Sequence, residues 1–165
     1  MKASKKTEAE VIAVLETFGQ AYTKSDRGML LSLFAPDADL VFIGSGWDER
    51  RVGAAEVNVQ FHRDRSQARF IGWDWTWRSV SARGPVAWAA AEASLLVSVQ
   101  RQRLTLPRVR FTAVLEKRDG GWRIVQGHTS VPAFEPEEEA AAATEVPAKP
   151  QTRTRTARPR AKTKS

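Results

Sequence analysis

The chain has 165 residues, 42% of them hydrophobic, which suits one closed core rather than two. It has no cysteine and only two histidines, His62 and His128, which excludes disulfides, thiol nucleophiles and thiolate metal sites, so neither a metal nor another cofactor is expected. The net charge of +7 is spread along the chain: seven Lys or Arg against five Glu lie from Phe134 onward, leaving +5 on residues 1–133, so the one dense basic cluster falls outside the expected core.

The first residues, "MKASKKTEAE", carry positive charge with no apolar run behind them, and no stretch approaches the ~20 apolar residues of a membrane span. A cytoplasmic location with no membrane contact is the expectation. From Thr7 to Tyr22, apolar residues at Val11, Val14, Leu15, Phe18 and Tyr22 follow helical spacing, with Thr7 and Glu10 spaced as a capping box. A second helix is expected from an Asp26 cap through Leu30, Leu33 and Phe34 to Pro36, because the residue before proline avoids helical backbone angles. A short strand, "LVFIG", follows. "GSGWDERRVG" then reads as a loop and "AAEVNVQFHRDR" as a third helix.

Beyond Ala68 the pattern changes to long runs of strand-forming residues separated by the hairpin signals "RG", "RQ" and "DGG". Three helices before an antiparallel meander predict an α+β domain, with helices packed on one face of a curved sheet, over residues 7–133. Residues 134–165 contain Val146 as the only large aliphatic side chain after Phe134, so they read as a disordered tail. Its end, "RTRTARPRAKTKS", offers nonspecific contact with nucleic acid or another anionic surface; a solubilising extension is the simpler reading.

The segment "WDWTW" places Trp73, Trp75 and Trp77 at alternate positions, hence on one face of a strand, with Asp74, Thr76 and Arg78 on the other. A two-residue turn at "RG" adds Trp88, Ala90 and Glu92 to the tryptophan face. Four indoles and a carboxylate suit a cavity wall better than a tight two-layer core or open water. Stacking of nucleic-acid bases would need Lys or Arg interleaved with the indoles, and Arg78 points away from them. Simple core filling is the bland alternative.

Several strings, in order, resemble the SnoaL-like branch of the nuclear-transport-factor-2-like (NTF2-like) superfamily: "FGQAYTKSDRGMLLSLFAPDADLVFIGSG", "GPVAWAA" and "VRFTAVLEKRDGGWRIVQGHTSVP". The last resembles a recurring ending in which Arg110, Thr112, Trp122, His128 and Ser130 take part. The resemblance covers roughly residues 8–132. It implies a cone of helices against a strongly curved sheet, a hydrophobic cavity opening near one end, a flap that "GSGWDERRVG" would supply, and frequent dimerisation through the sheet. In members resembling ketosteroid isomerase, a proton-moving carboxylate lies on the first strand. Here the matching positions are Val41 and Phe42, which counts against that chemistry. Tyr22, the only tyrosine, lies on the apolar stripe of the first helix, where an oxyanion donor is hard to place.

These observations predict a homodimeric domain binding a small, partly apolar molecule, with Trp73, Trp75, Trp77 and Trp88 as wall. Arg110 is an anchor for an anionic group, beside Glu92 and Thr112, and His128 with Ser130 forms the polar end. If Glu92 and Arg110 face each other, structural pairing is favoured; if not, ligand binding gains. Alternatives are a proton-transfer enzyme (isomerase, cyclase or dehydratase) with His128 as base and Arg110 stabilising negative charge, and a non-enzymatic dimeric interaction module using the tryptophan face. His62 reads as a solvated surface residue. Asp48, Glu49, Glu56 and Asp64 are scattered without the spacing of a calcium loop, and the loop glycines lack phosphate-loop spacing.

Overall fold

The computed structural model describes residues 1–119 and 121–132 of the chain; the expected tail, residues 134–165, lies outside them. Helix α1 (Lys5–Lys24) begins at Ser4, whose side chain accepts the Thr7 amide at 3.1 Å, three residues before the expected start. Its stripe of Val11, Leu15, Phe18 and Tyr22 is buried, as the spacing predicts. Helix α2 (Arg27–Leu31) has the expected Asp26 cap, accepting from the Met29 amide at 2.8 Å, but it is only one turn long.

The predicted extension of α2 to Pro36 is not found, because Leu33–Ala35 exchanges backbone hydrogen bonds with Ile124 instead. A sheet partner distant in sequence outweighs local helical preference there. Two short strands follow, β1 (Val41–Ile43) and β2 (Arg50–Val52), then helix α3 (Ala54–Gln67). The long strands β3 (Arg69–Arg83), β4 (Val86–Val99), β5 (Gln102–Arg118) and β6 (Gly121–Ser130) form the meander. The six-stranded sheet has the order β2-β1-β6-β5-β4-β3, antiparallel except where β1 runs parallel to β6.

Curvature comes from irregular register. Extra residues open at Ile71 and Thr76 in β3, around Pro107–Arg108 in β5, and at Val125 in β6. Such bulges bend a strand and increase its twist, wrapping the long strands around α1. The inner face of β4 is a stripe of small residues, Ala87, Ala89, Ala91 and Ala93, all buried, so bulk there comes from the facing elements. Phe18 fills that space, its ring 4.8 Å from Phe111 and 5.5 Å from Trp73. The start of α1 is tied to the sheet through Glu10, which accepts from Lys117 and from the Trp122 indole, both at 2.9 Å.

Candidate functional site

The bulge at Thr76 decides which tryptophans meet a ligand. Trp75 pairs with Ala93 and Trp77 with Glu92, so the strand phase shifts by one residue between them. Trp73 and Trp75 face inward, while Trp77 is turned to the outer face and is 52% exposed. Arg78 thereby turns inward, where its guanidinium pairs with Glu16 of α1. The expected row of indoles on one face is corrected accordingly, and plain alternation could not reveal the inserted residue.

The hairpin turn lies at Gly84–Pro85 rather than at "RG", so Trp88 sits opposite Ser81 and Ala90 opposite Ser79. Trp88, 38% exposed, and Glu92 therefore share the outer face with Trp77. Trp77, Glu92, Arg110 and Ser130 form one row across four strands; Ala90, Thr112 and His128 form the next. Glu92 and Arg110 face each other in register, the arrangement expected to favour structural pairing, but no ion pair within 4 Å joins their side chains. Seven predicted site residues are thus gathered, but on the side of the sheet away from the helices. Arg110, Thr112 and His128 are exposed there. They do not line the internal cavity, and the expectation that His128 with Ser130 forms its polar end and Arg110 its anionic anchor is corrected.

The cavity itself, about 110 Å³, lies between α1, α3 and the inner face of the sheet. Its wall is aromatic, from Phe18, Tyr22, Phe42, Phe70 and Trp73. Leu106 and Val131, 37% and 43% exposed, together with exposed Ser45, mark its mouth. Trp75 is buried beside the cavity, donating its indole N–H to the Leu15 carbonyl at 3.1 Å. The Trp73 indole nitrogen, also buried, has no acceptor among the described residues, a deficit that costs on the order of 1–3 kcal/mol when unmet.

The polar end of the cavity comes from α1, α3 and the β1–β2 loop. On α3, Val57, Gln60, Phe61 and Asp64 share one face by helical spacing, and the first three are buried. Tyr22 donates its hydroxyl to Asp64 Oδ2 at 2.8 Å, and Gln60 Nε2 donates to Asp64 Oδ1 at 2.7 Å. Arg51 Nε donates to Gln60 Oε1 at 2.9 Å, which fixes the amide's orientation, since a guanidinium only donates. Burial pushes the Asp64 carboxyl above its ordinary value, with neighbouring Glu49 adding to the rise, although the two donors oppose it. Burial, and then the adjacent Asp64, hold the Tyr22 hydroxyl well above its usual range.

Glu49 is only 7% exposed. Its Oε2 accepts the Gly46 amide at 2.7 Å, and Arg63 Nε stands 3.8 Å from Oε1. The glycines of "GSG" are required by this wrap: a Cβ at Gly44 would fall 2.3 Å from Glu49 Oε2, and one at Gly46 2.8 Å from its Cδ. Trp47, at the tip of the same loop, is 97% exposed and takes no part in the cavity. His62 is exposed on α3.

Sequence reasoning missed Gln60 and, having considered Tyr22, Glu49 and Asp64, set them aside. The available signal was polar side chains at positions where an amphipathic stripe requires apolar ones, Gln60 and Asp64 on α3 and a hydroxyl-bearing ring on α1. Among the described residues, no helix is long and apolar enough to cross a membrane and no group of three or more His, Asp or Glu could hold a metal ion.

Solved structures with the same fold include an NTF2-like protein of unknown function from Pseudomonas putida, 19% identical, covering 82% of this chain and 92% of that one, with a TM-score of 0.62. Another, from Streptomyces avermitilis, is named as a candidate dehydratase of the NTF2-like family; it is 20% identical, with coverages of 79% and 100% and a TM-score of 0.68. A third, from Novosphingobium aromaticivorans, is named as a candidate aromatic ring hydroxylase, 17% identical, with coverages of 82% and 94% and a TM-score of 0.70. At these identities the likeness is one of fold. Among curated proteins, none matches the sequence. The family model described as "SnoaL-like domain" matches residues 11–134, and with most of the sequence so matched, the chain belongs to the SnoaL-like family of NTF2-like folds.

Proposed function

We propose that the chain binds a small, largely apolar molecule in the internal cavity, with Tyr22, Glu49, Gln60 and Asp64 as its polar end. The observation that carries this reading is the Asp64 carboxyl, desolvated beside Glu49 inside an aromatic enclosure and oriented by two donors. Burying carboxyls is costly, and an apolar replacement of similar shape generally serves stability as well or better. Perturbed acids in a concave aromatic site are the pattern of a ligand site. The volume fits an occupant no larger than a single ring, since a cavity of about 150 Å³ accommodates benzene.

Two structural neighbours are named as a candidate dehydratase and a candidate hydroxylase. Proton transfer to a ligand in this cavity would run through Asp64 or Glu49; His128 lies across the sheet from it. The test is a thermal-shift series with phenol and benzyl alcohol on the natural chain, on R110A/H128A, and on L106W, which narrows the mouth. The expected result is stabilisation of the natural chain and of R110A/H128A alike, and none of L106W. Stabilisation lost in R110A/H128A but kept in L106W would move the ligand to the outer face.

A second reading concerns that outer face, which we propose is where two copies associate. Trp77 and Trp88 are exposed there near the facing Glu92 and Arg110, an arrangement suited to a twofold contact in which each acid meets the other copy's base. Sedimentation should report a dimer for the natural chain and a monomer for W77S/W88S. A monomeric natural chain at tens of micromolar would dismiss it.

A further inference from the structure

Three features of the cavity combine in a way that small-molecule binding alone does not require. The first is the ring cluster. Tyr22 stands 5.2 Å from Phe18, 4.9 Å from Phe70 and 5.4 Å from Trp73, so the wall is one contiguous cluster of rings, in tilted and edge-to-face contact. Ring faces carry negative potential and attract cations, more strongly once water is excluded.

The second is the sign of the lining. Two carboxyls, Glu49 and Asp64, face the cavity and no Lys, Arg or His lines it. Arg63 directs both terminal nitrogens to Asp48, at 2.8 and 2.9 Å, and approaches Glu49 only to 3.8 Å; Arg51 bonds the Gln60 amide and the Asp48 carbonyl. Asp48, Glu49 and Asp64 thus outnumber Arg51 and Arg63 by one charge when all are ionised. Glu49 Oε1 accepts no hydrogen bond among the described residues, although the side chain is more than nine-tenths buried. The surplus is local, for the chain as a whole carries +7.

The third is size. About 110 Å³ suits a compact head group of the tetramethylammonium type and excludes a multi-ring molecule. We infer that the cavity is a site for a small organic cation, an alkylated ammonium group held by the ring faces of Phe18, Tyr22, Phe70 and Trp73 and neutralised by Glu49 and Asp64. This rests on the cavity-binding reading above and adds the charge of the occupant. It also reverses the expectation of an anionic ligand, because Arg110 lies on the other face of the sheet.

The experiment is calorimetric titration of the full chain, at fixed ionic strength and neutral pH, with choline, with its neutral isostere 3,3-dimethyl-1-butanol, and with phenol. Choline is expected to bind at least tenfold more tightly than the isostere. E49Q and D64N should each lower the ratio of choline to isostere affinity at least threefold, whatever they do to the isostere's own affinity. The two variants are independent, so failure of one to fold leaves the other as the test. Equal or tighter binding of the isostere would overturn the cation assignment and leave the cavity reading standing, as would binding of phenol alone. If none of the three binds, the cavity reading fails and the cation assignment with it.

Discussion

The same substitution made two residues apart should have very different consequences. Trp75 is 8% exposed, packs against Phe111 at 5.9 Å and donates to the Leu15 carbonyl. An indole buries about 200 Å², and at about 25 cal/mol per Å² its removal has an upper bound near 5 kcal/mol. Measured Trp to Ala changes in cores run at about 3–5 kcal/mol. Trp77 is 52% exposed, so the same area argument gives roughly half as much, about 2.5 kcal/mol at most. Urea unfolding of W75A and W77A, at concentrations low enough to exclude any self-association, should therefore show W75A the less stable by about 2–3 kcal/mol, with unchanged m-values. Had the strand alternated without interruption, both indoles would share one face and their losses would be similar. Equal losses would refute the bulge at Thr76 and the division of the sheet into a cavity face and an outer face.

Asp64 gives a pH signature. Its folded value lies above the unfolded one, so its contribution is most favourable below the unfolded value of about 3.9 and is lost as pH rises through the folded value. D64N lacks this dependence and should gain stability relative to the natural chain from acid to neutral pH in urea titrations; a constant difference would contradict it. Gly19 lies against Trp73, and a Cβ there would fall 2.9 Å from the indole Cγ. Alanine adds about 1 kcal/mol of helix propensity, but overpacking costs about 1–3 kcal/mol, so G19A should lower the urea midpoint and weaken phenol binding. Arg118 grips Asp37 at 2.7 Å, a hydrogen bond that holds the Asp37 carboxyl below its ordinary value, and any stability it brings is lost as pH falls through that lowered value. In R118A, the Asp37 carbon signal should titrate higher by NMR, and an unmoved titration would show that the pair does not form in solution.

Much of the fold was legible because it rests on periodicity. The stripe on α1 and the strand-rich meander follow from residues whose spacing matches one regular element. What escaped was set by irregularity and by distant partners. The end of α2 depends on Ile124, some ninety residues later, and the extra residue at Thr76 leaves no mark in composition. The candidate site illustrates the cost of one such bulge. Trp77, Trp88 and Glu92 share a face as alternation expects, since β-pairing parity survives a two-residue shift of register, whereas the register that sets Arg110 opposite Glu92 could not be read from the sequence. The face they share could not be read, because its phase relative to Trp73 changes at the bulge. Asp64 and Glu49 gather only when α3 and the β1–β2 loop fold over the same aromatic wall.

The central claim is that the ligand site lies inside the cavity, and the tryptophans themselves provide the most direct measurement. Each of the six indoles gives a separate N–H signal in a nitrogen-15 correlation spectrum, and phenol can be titrated while all six are followed. The Trp73 signal, from the cavity wall, should move saturably with phenol, while those of Trp77 and Trp88 on the outer face stay in place. Saturable movement of Trp77 and Trp88 with Trp73 unchanged would put the binding site on the outer face and contradict the account.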